Sequence, residues 1–557
     1  MDFLTIEEAA ERLGVSIATA RRWAATGQIE ATKSGKQWVV DGEKLVPRPR
    51  RRQRHLSTDV QLDYEGALRH VRRTDLAETP VPDILRHADE LDDKDAVISA
   101  ARGRVDRCEP GPAVAIDVDK TAIFTRRVNA LSLEDRVAFQ AVVASFAPRI
   151  EARTPPNVFS ARLSTDSRYF FLHGPQQWAN WRMDAFKKLV PGREWLAATD
   201  LTAYFDTIPH RQLLAEIQSL NVDQSVVAYI RETLREWAVS DGVGLPQGPN
   251  ASRLLGNLYL LPVDEAMIRS GWQYSRFLDD VRIAATSRAE AVQAVRQFQN
   301  ECRLRGLIVS SGKTELLFGD DAKESLVGSL ELAAVDYWFH AHVPALARKE
   351  LKRVLRRALK GKAEIDSRRA RFSLWRLARL REGSVLKQVL RRLEDLAPLS
   401  SVVAAYLQPF ITRKPVTVEL TDFLADPSRS YSSHMTTWLL AVMVEHQGQV
   451  PNGWLDQALW RVKDRNQPGY LRAVAALVVG RGRRPADIAW MKREIAQEHD
   501  PSMLRAFAVG LHCANSLDRT AQKKLIARTP RLLRTVSYLE GRSRIPSLVY
   551  TDRWIEL

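Results

Sequence analysis

The stretch Arg276–Ala284, RFLDDVRIA, sets two aspartates side by side within an apolar, β-rich run. Asp is depleted from strands, and adjacent carboxylates raise each other's pKa. A strand–turn–strand hairpin with Asp279 and Asp280 at its tip fits the pattern. It does not explain the residue choice, because Asn-Gly or Asp-Gly makes the better two-residue turn. A metal ion would relieve the repulsion, and it needs a further ligand. WLAATDLTAYFDTIPH at 195–210 offers one: a strand-like run ends at Asp200, with a second acid at Asp206. GLPQGPNASRLLGNLYLLPVDEAM at 244–267 reads as a Pro/Gly loop opening an apolar helix capped near Asn250. LIVSSGKTELLFG at 307–319 adds Lys313.

The chain that must position these groups has 557 residues, enough for two to four domains. Its net charge of +16 and pI near 9.8 favour a polyanionic partner, of which nucleic acid is the commonest. Cys108, Cys302 and Cys513 lie far apart with no metal-type spacing, which implies a reducing compartment and no disulfide framework. The acidic, amphipathic N-terminus is no signal peptide, and the longest apolar runs, such as WLLAVMV at 438–444, fall far short of a membrane span. A cytoplasmic protein with no membrane partner is expected.

Thr5 and Glu8 form a capping box ahead of an apolar face at Ala9, Ala10 and Leu13. Gly14 stops that helix, Ser16 caps the next, Gly27 ends it, and 28–45 reads as a small β-wing. VPRPRRRQRHL at 46–56 is an arginine-rich linker, with a backbone-binding arm as the sharper alternative. Residues 60–330 mix helices with short apolar strands, and from 345 the chain turns helical. RKELKRVLRRALKGK at 348–362 predicts an amphipathic helix with Arg353, Arg356 and Arg357 on a basic face. GYLRAVAALVVGRG at 469–482 is echoed by SMLRAFAVGLHCAN at 502–515, and TTWLLAVMVEH at 436–446 reads as a third copy of a helical repeat. Arg505 and His512 have the Arg-x6-His spacing of HEPN-type ribonucleases. Arg472, the repeat equivalent of Arg505, lacks the His, so a structural helix is expected.

In their order and spacing, the segments at Asp200, Gln247–Gly248, Asp279–Asp280 and Lys313 resemble motifs A to D of the reverse transcriptase palm. LEDRVAFQAVVASFAPRIEA and NVFSARLS resemble the fingers of that family, and the likeness covers roughly half the chain. It implies an α+β fold: right-hand polymerase fingers, palm and thumb, with an N-terminal helix-turn-helix and a C-terminal α-helical repeat region. The boundaries expected are 1–46 helix-turn-helix, 47–100 basic linker and connector, 101–320 fingers and palm, 321–400 basic helical thumb, and 401–557 HEAT-like repeats. The resemblance assigns Asp200, Asp279 and Asp280 to two Mg²⁺ ions, with Mn²⁺ as a substitute, about 3.5–4 Å apart. Carboxylate oxygens suit so hard a cation.

Phe205 matches the residue beneath the incoming sugar, where its ring would exclude a 2′-hydroxyl. Gln247 and Gly248 would let the backbone approach nucleotide and template, and Lys313 would assist the departing pyrophosphate. Asp206 is expected to hold the loop. Phe277 stands where the family commonly has Tyr, a change that keeps the ring.

The first 45 residues resemble excisionase and MerR-type DNA-binding domains, with Arg21 and Arg22 facing DNA and Trp23 inward. The helical C-terminus resembles bacterial unknown-group and abortive-infection reverse transcriptases. Antiphage defence is thereby implied, with dNTPs, an RNA template, a DNA product, an associated non-coding RNA and a homo-oligomer formed through the repeats. Synthesis is RNA-templated or template-independent. The alternative is a non-catalytic nucleic-acid-binding regulator on a degenerate polymerase fold.

Overall fold

The computed structural model describes residues 3–13, 17, 20, 21, 24, 29, 31–34, 37–41 and 60–549, except 167, 239, 328, 342, 361–364 and 447. Arg22, Trp23, Gly14, Ser16, Gly27 and the segment 46–56 lie outside the described residues.

At the N-terminus the capping box forms. The Thr5 amide donates to Glu8 Oε2 at 2.8 Å, and the Glu8 amide donates to Thr5 Oγ1 at 3.2 Å, opening the helix Ile6–Leu13. The wing is the strand pair Ala31–Ser34 and Gln37–Asp41. A third strand, Phe3–Thr5, pairs with Gln37–Asp41, which the capping box does not foretell. Ile6, Ala9, Ala10, Ala20, Ala24, Ile29 and Val40 make its small core. Arg21 is exposed and pairs with Glu7.

The central sheet has four antiparallel strands in the order Gln273–Phe277, Asp280–Ala285, Trp195–Thr199, Glu315–Phe318. Its alternation separates two faces. Ala197, Tyr274, Val281 and Ile283 join the core shared with the helices Asn250–Arg269 and Arg288–Leu304. Leu196 packs the other way, against Ala185 of the helix Gly174–Lys188 and Ala322 and Leu326 of the helix Gly319–Val327. A two-stranded hairpin, Val114–Asp119 with Thr125–Ala130, precedes the helices Leu133–Ala144 and Ala147–Arg153.

The basic segment forms the helix Pro344–Ala358, and from Val335 to Val549 one continuous apolar core underlies the helices. The three repeat segments are the helices Ser433–Val444, Gly469–Gly482 and Pro501–Cys513. The last two touch backbone to backbone. A Cβ on Gly480 would fall 2.1 Å from the Gly510 carbonyl oxygen, so no larger residue fits that crossing.

Arg472 and Arg505, equivalent by repeat, have different duties. Arg472 pairs with Glu498 at 3.1 Å. Arg505 reaches out of the array to Asp83 and Asp89, at 2.6 Å to each, and Thr535 also donates to Asp89. Its guanidinium is thus committed to a structural bracket. Ile84 and Leu85, beside Asp83, are buried in the array's core. Among the described residues no helix is long and apolar enough to cross a membrane.

Candidate active site

Strand Trp195–Thr199 runs through the middle of the sheet and delivers Asp200 at its end. The chain is held there by the Ser310 amide, which donates to the Asp200 carbonyl at 2.8 Å, and by the Thr202 amide, which donates to the Ile308 carbonyl at 2.7 Å. The neighbouring hairpin delivers the other two acids. Phe277 pairs with Asp280, so the two-residue tip is Leu278–Asp279 and Asp280 already belongs to the second strand. The tip therefore carries one aspartate and not two. Leu278 has φ of +53°, a left-handed conformation costly for a bulky side chain.

A buried network holds that conformation. The Leu278 amide donates to Ser160 Oγ at 2.9 Å, and Arg276 Nη1 donates to the Leu278 carbonyl at 2.8 Å. Arg276 makes a two-pronged pair with Asp264, at 2.8 and 2.6 Å, and both side chains are fully buried. Asn257 Oδ1 accepts from Arg276 Nη1 at 3.0 Å, and the Tyr274 hydroxyl donates to Asp264 at 2.8 Å. Sequence reasoning misses Ser160, Asn257, Asp264 and Arg276. The one signal for them is Asp264 itself, an acid on an otherwise apolar helix face that must find a partner.

Burial, then the charges of Asp200 and Asp280, push the Asp279 carboxyl up to about 7. Burial also raises Asp280; Asp200 adds to the effect, while Arg282 and Lys313 oppose it. Lys313 Nζ donates directly to Asp200 Oδ2 from a side chain that is 58% exposed. The three acids thus feel one another at one end of the sheet. With Lys313 on Asp200, no group of three or more His, Cys, Asp or Glu among the described residues is spaced to hold a metal ion.

Gly248 has φ of +127°, and a Cβ there would sit 3.1 Å from the Asn129 carbonyl oxygen, so the loop's close approach depends on glycine. Asn129 locks that loop to the 114–130 hairpin: its amide donates to the Gln247 carbonyl at 2.7 Å, and its side chain donates to the Trp237 carbonyl at 2.9 Å. Gln247 Nε2 donates to Asp206 Oδ1 at 2.6 Å, so Asp206 holds the loop as expected from its position. The helix after the loop begins at Asn250 with Pro249 as cap residue. Its first amide donates to buried Asp75 at 2.6 Å, a cap supplied from 175 residues away rather than locally.

Phe205 is half-buried, its ring 5.2 Å from that of Tyr204, and Gly256 leaves room for both. Phe277 packs edge-on against Trp178, ring centroids 5.0 Å apart. Arg353, Arg356 and Arg357 are exposed on the helix Pro344–Ala358. Arg353 and Arg357 share Glu331, at 3.2 and 3.0 Å, so the basic face is partly neutralised.

This architecture agrees with the sequence comparisons. Residues 147–350 match the family described as reverse transcriptase (RNA-dependent DNA polymerase), and residues 3–46 match a helix-turn-helix domain. The chain therefore carries a reverse transcriptase domain, in a mixed α and β polymerase fold preceded by a helix-turn-helix. Among individual proteins, an uncharacterized 91 kDa protein in the cob intron of Schizosaccharomyces pombe is 36% identical over 80 residues, 13% of this chain and 10% of that protein. Protein YkfC of Escherichia coli is 25% identical over 161 residues, 22% of this chain and 41% of that protein. The chain thus spans less than half the length of either relative. Telomerase from Candida albicans with a TWJ fragment of telomeric RNA is 10% identical, covering 60% of this chain and 63% of its own at a TM-score of 0.30. Apo telomerase from Candida tropicalis covers 59% and 67% at 0.29, also at 10% identity.

Proposed function

We propose that the protein is a cytoplasmic RNA-directed DNA polymerase that adds dNTPs to a primer, with an RNA template and a DNA product. The observation that carries this reading is that Asp200, at the end of strand Trp195–Thr199, lies at the same end of the sheet as the paired hairpin that bears Asp279 and Asp280, inside the matched domain. The donor set suits two Mg²⁺ ions: hard oxygens, crowded enough that Asp279 resists ionisation until a cation relieves it. Asp200, Asp279 and Asp280 would hold them once Lys313, a long exposed side chain, swings off Asp200. The ions would supply activation of the primer hydroxyl and neutralisation of the triphosphate. Lys313, released from Asp200, is then free to donate to the pyrophosphate.

The functional units of the reading are 1–46, 47–100, 101–320, 321–400 and 401–557. Arg21 and Arg22 contact DNA, and Arg353, Arg356 and Arg357 follow a nucleic-acid backbone. The direct test is incorporation of labelled dNTPs on an RNA template, with Mg²⁺ and with EDTA. The ammonium on Asp200 favours one second reading, a nucleic-acid-binding regulator with no catalysis, which predicts no incorporation under either condition.

Phe205 and Gly248 belong to the nucleotide pocket on this reading. Phe205→Ala should raise ribonucleotide incorporation relative to deoxynucleotide by about tenfold or more, as expected where one steric contact decides selectivity. Unchanged selectivity would leave Phe205 a packing residue beside Tyr204. The helical array, with its extended surface, supports a further role in antiphage defence through a partner RNA or self-association. Phages plated on cells expressing the protein should form fewer plaques than on cells expressing Asp279→Asn. Equal counts across a broad panel would remove the defence role and leave the polymerase.

A further inference from the structure

Among the described residues, the hairpin Val114–Asp119 with Thr125–Ala130 pairs with no third strand, and of its side chains only Ile116 and Asn129 are buried. A lone two-stranded hairpin is marginal in water, so its order must come from what holds its two ends. One end is fastened at Asn129. Its amide donates to the Gln247 carbonyl at 2.7 Å, its Oδ1 accepts from the Gln247 amide at 3.3 Å, and Gly248 passes with no room for a side chain. The other end carries Asp119 and runs into a turn where Ile123 and Phe124 are 80% and 67% exposed. Apolar burial does not fix that turn.

The helical array does. Ser432, the cap residue of the helix Ser433–Val444, donates to Asp119 Oδ2 at 2.5 Å, and His434 Nδ1 lies 3.4 Å from the same oxygen. The Asp119 side chain is mostly buried there, at a helix N-terminus, which favours an anion. His434 Nε2 and Trp438 Nε1 both donate to the Pro80 carbonyl, at 2.9 and 3.0 Å. The start of this helix is therefore tied at two places to chain that precedes the sheet, and one of them is the hairpin.

We propose that the helical array is a working part of the nucleotide site: Ser432 and His434 hold Asp119, and through the hairpin they hold the Gln247–Gly248 loop. Asp119, Ser432 and His434 are positioning residues that act through Asn129. The loop has no slack, since Gly248 already touches the hairpin backbone, so a hairpin freed at its Asp119 end shifts the loop at the other. Displacements of about 1 Å at a reacting centre cost up to about 10²-fold in rate. The inference rests on the polymerase reading for the identity of the ligand at the loop, but not for the mechanical link.

The test pairs hydrogen–deuterium exchange of the full-length protein, in EDTA without nucleotide, with steady-state dNTP incorporation. Ser432→Asp keeps a side chain able to cap the helix and sets a carboxylate against Asp119. Peptides covering 114–130 and 244–249 should exchange about tenfold faster in this variant, while the helices Gly469–Gly482 and Pro501–Cys513 stay as protected as in the wild type. The KM for dNTP should rise by about tenfold, more than kcat falls. The exchanged pair Ser432→Asp/Asp119→Ser restores a hydroxyl opposite a carboxylate and should recover both readouts. Asp119→Ala leaves the helix cap in place and carries the test where Ser432→Asp disturbs the array. Wild-type exchange at 244–249 in the folded variants would overturn the proposal, as would faster exchange there with an unchanged KM. If the wild type incorporates no nucleotide but the loop loosens in the variants and tightens in the exchanged pair, the polymerase reading fails and the link from array to loop stands.

Discussion

Asp279→Asn should lower nucleotide incorporation by at least about 10²–10³-fold, the scale of losing one preorganised electrostatic group at a reacting centre. The substitution keeps the shape of the side chain and removes its charge. Asp279 lies in a two-residue turn beside two other carboxylates, and its ionisation is opposed by burial and by those neighbours. Loss of that charge should leave the melting temperature in EDTA unchanged or higher, since the ionised form is disfavoured in the folded protein. A variant that melts lower would mean that Asp279 supports the hairpin, and full incorporation would remove it from the chemistry. The two readouts together distinguish a functional acid from a structural one.

Arg276→Met should be the most damaging single change to stability. It leaves Asp264 charged, fully buried and without its ion-pair partner, at a cost of about 3–5 kcal/mol. It also removes the donor that reaches the Leu278 carbonyl, so the left-handed turn loses one of its two side-chain anchors. The double variant Arg276→Met/Asp264→Leu should recover much of the stability, because replacing both members of a buried pair by apolar groups is often neutral. It should not recover incorporation, because the turn still lacks its anchor. Urea unfolding of the two variants beside the wild type, with an incorporation assay on each, checks both statements. A double variant no more stable than the single one would refute the pairing account.

These two residues differ in how visible they are in the sequence. Asp279 and Asp280 are legible because adjacent carboxylates in an apolar run contradict local strand preference, and Asp200, Gln247–Gly248 and Lys313 follow in a fixed order. Arg276 sits three residues from Asp279, yet its partners across elements are at 257 and 264, that of the Leu278 amide is at 160, and such pairing leaves no periodic trace. The same holds for Asp75, whose cap on the helix Asn250–Arg269 crosses 175 residues. The hairpin is legible but its tip is not. One residue of register decides whether Asp280 turns or pairs, and the left-handed Leu278 settles it through contacts outside the hairpin. The repeat helices can be read from their spacing. Arg505 looks like a copy of Arg472 until Asp83 and Asp89 give it another task.

That bracket bears on how the molecule comes apart. Residues 83–89 precede the hairpin and sheet in the chain, yet their acids are neutralised by an arginine more than 400 positions later, and Ile84 and Leu85 are interred among the terminal helices. Arg531 and Arg534 approach Glu134 of the helix Leu133–Ala144 in the same way. Melting of the final helices would strip charge compensation and apolar cover from the segment leading into the polymerase half. The cooperative unit for unfolding is therefore drawn across the chain's length, and a ligand that steadies the helical array is linked through it to the integrity of the sheet that bears the candidate acids.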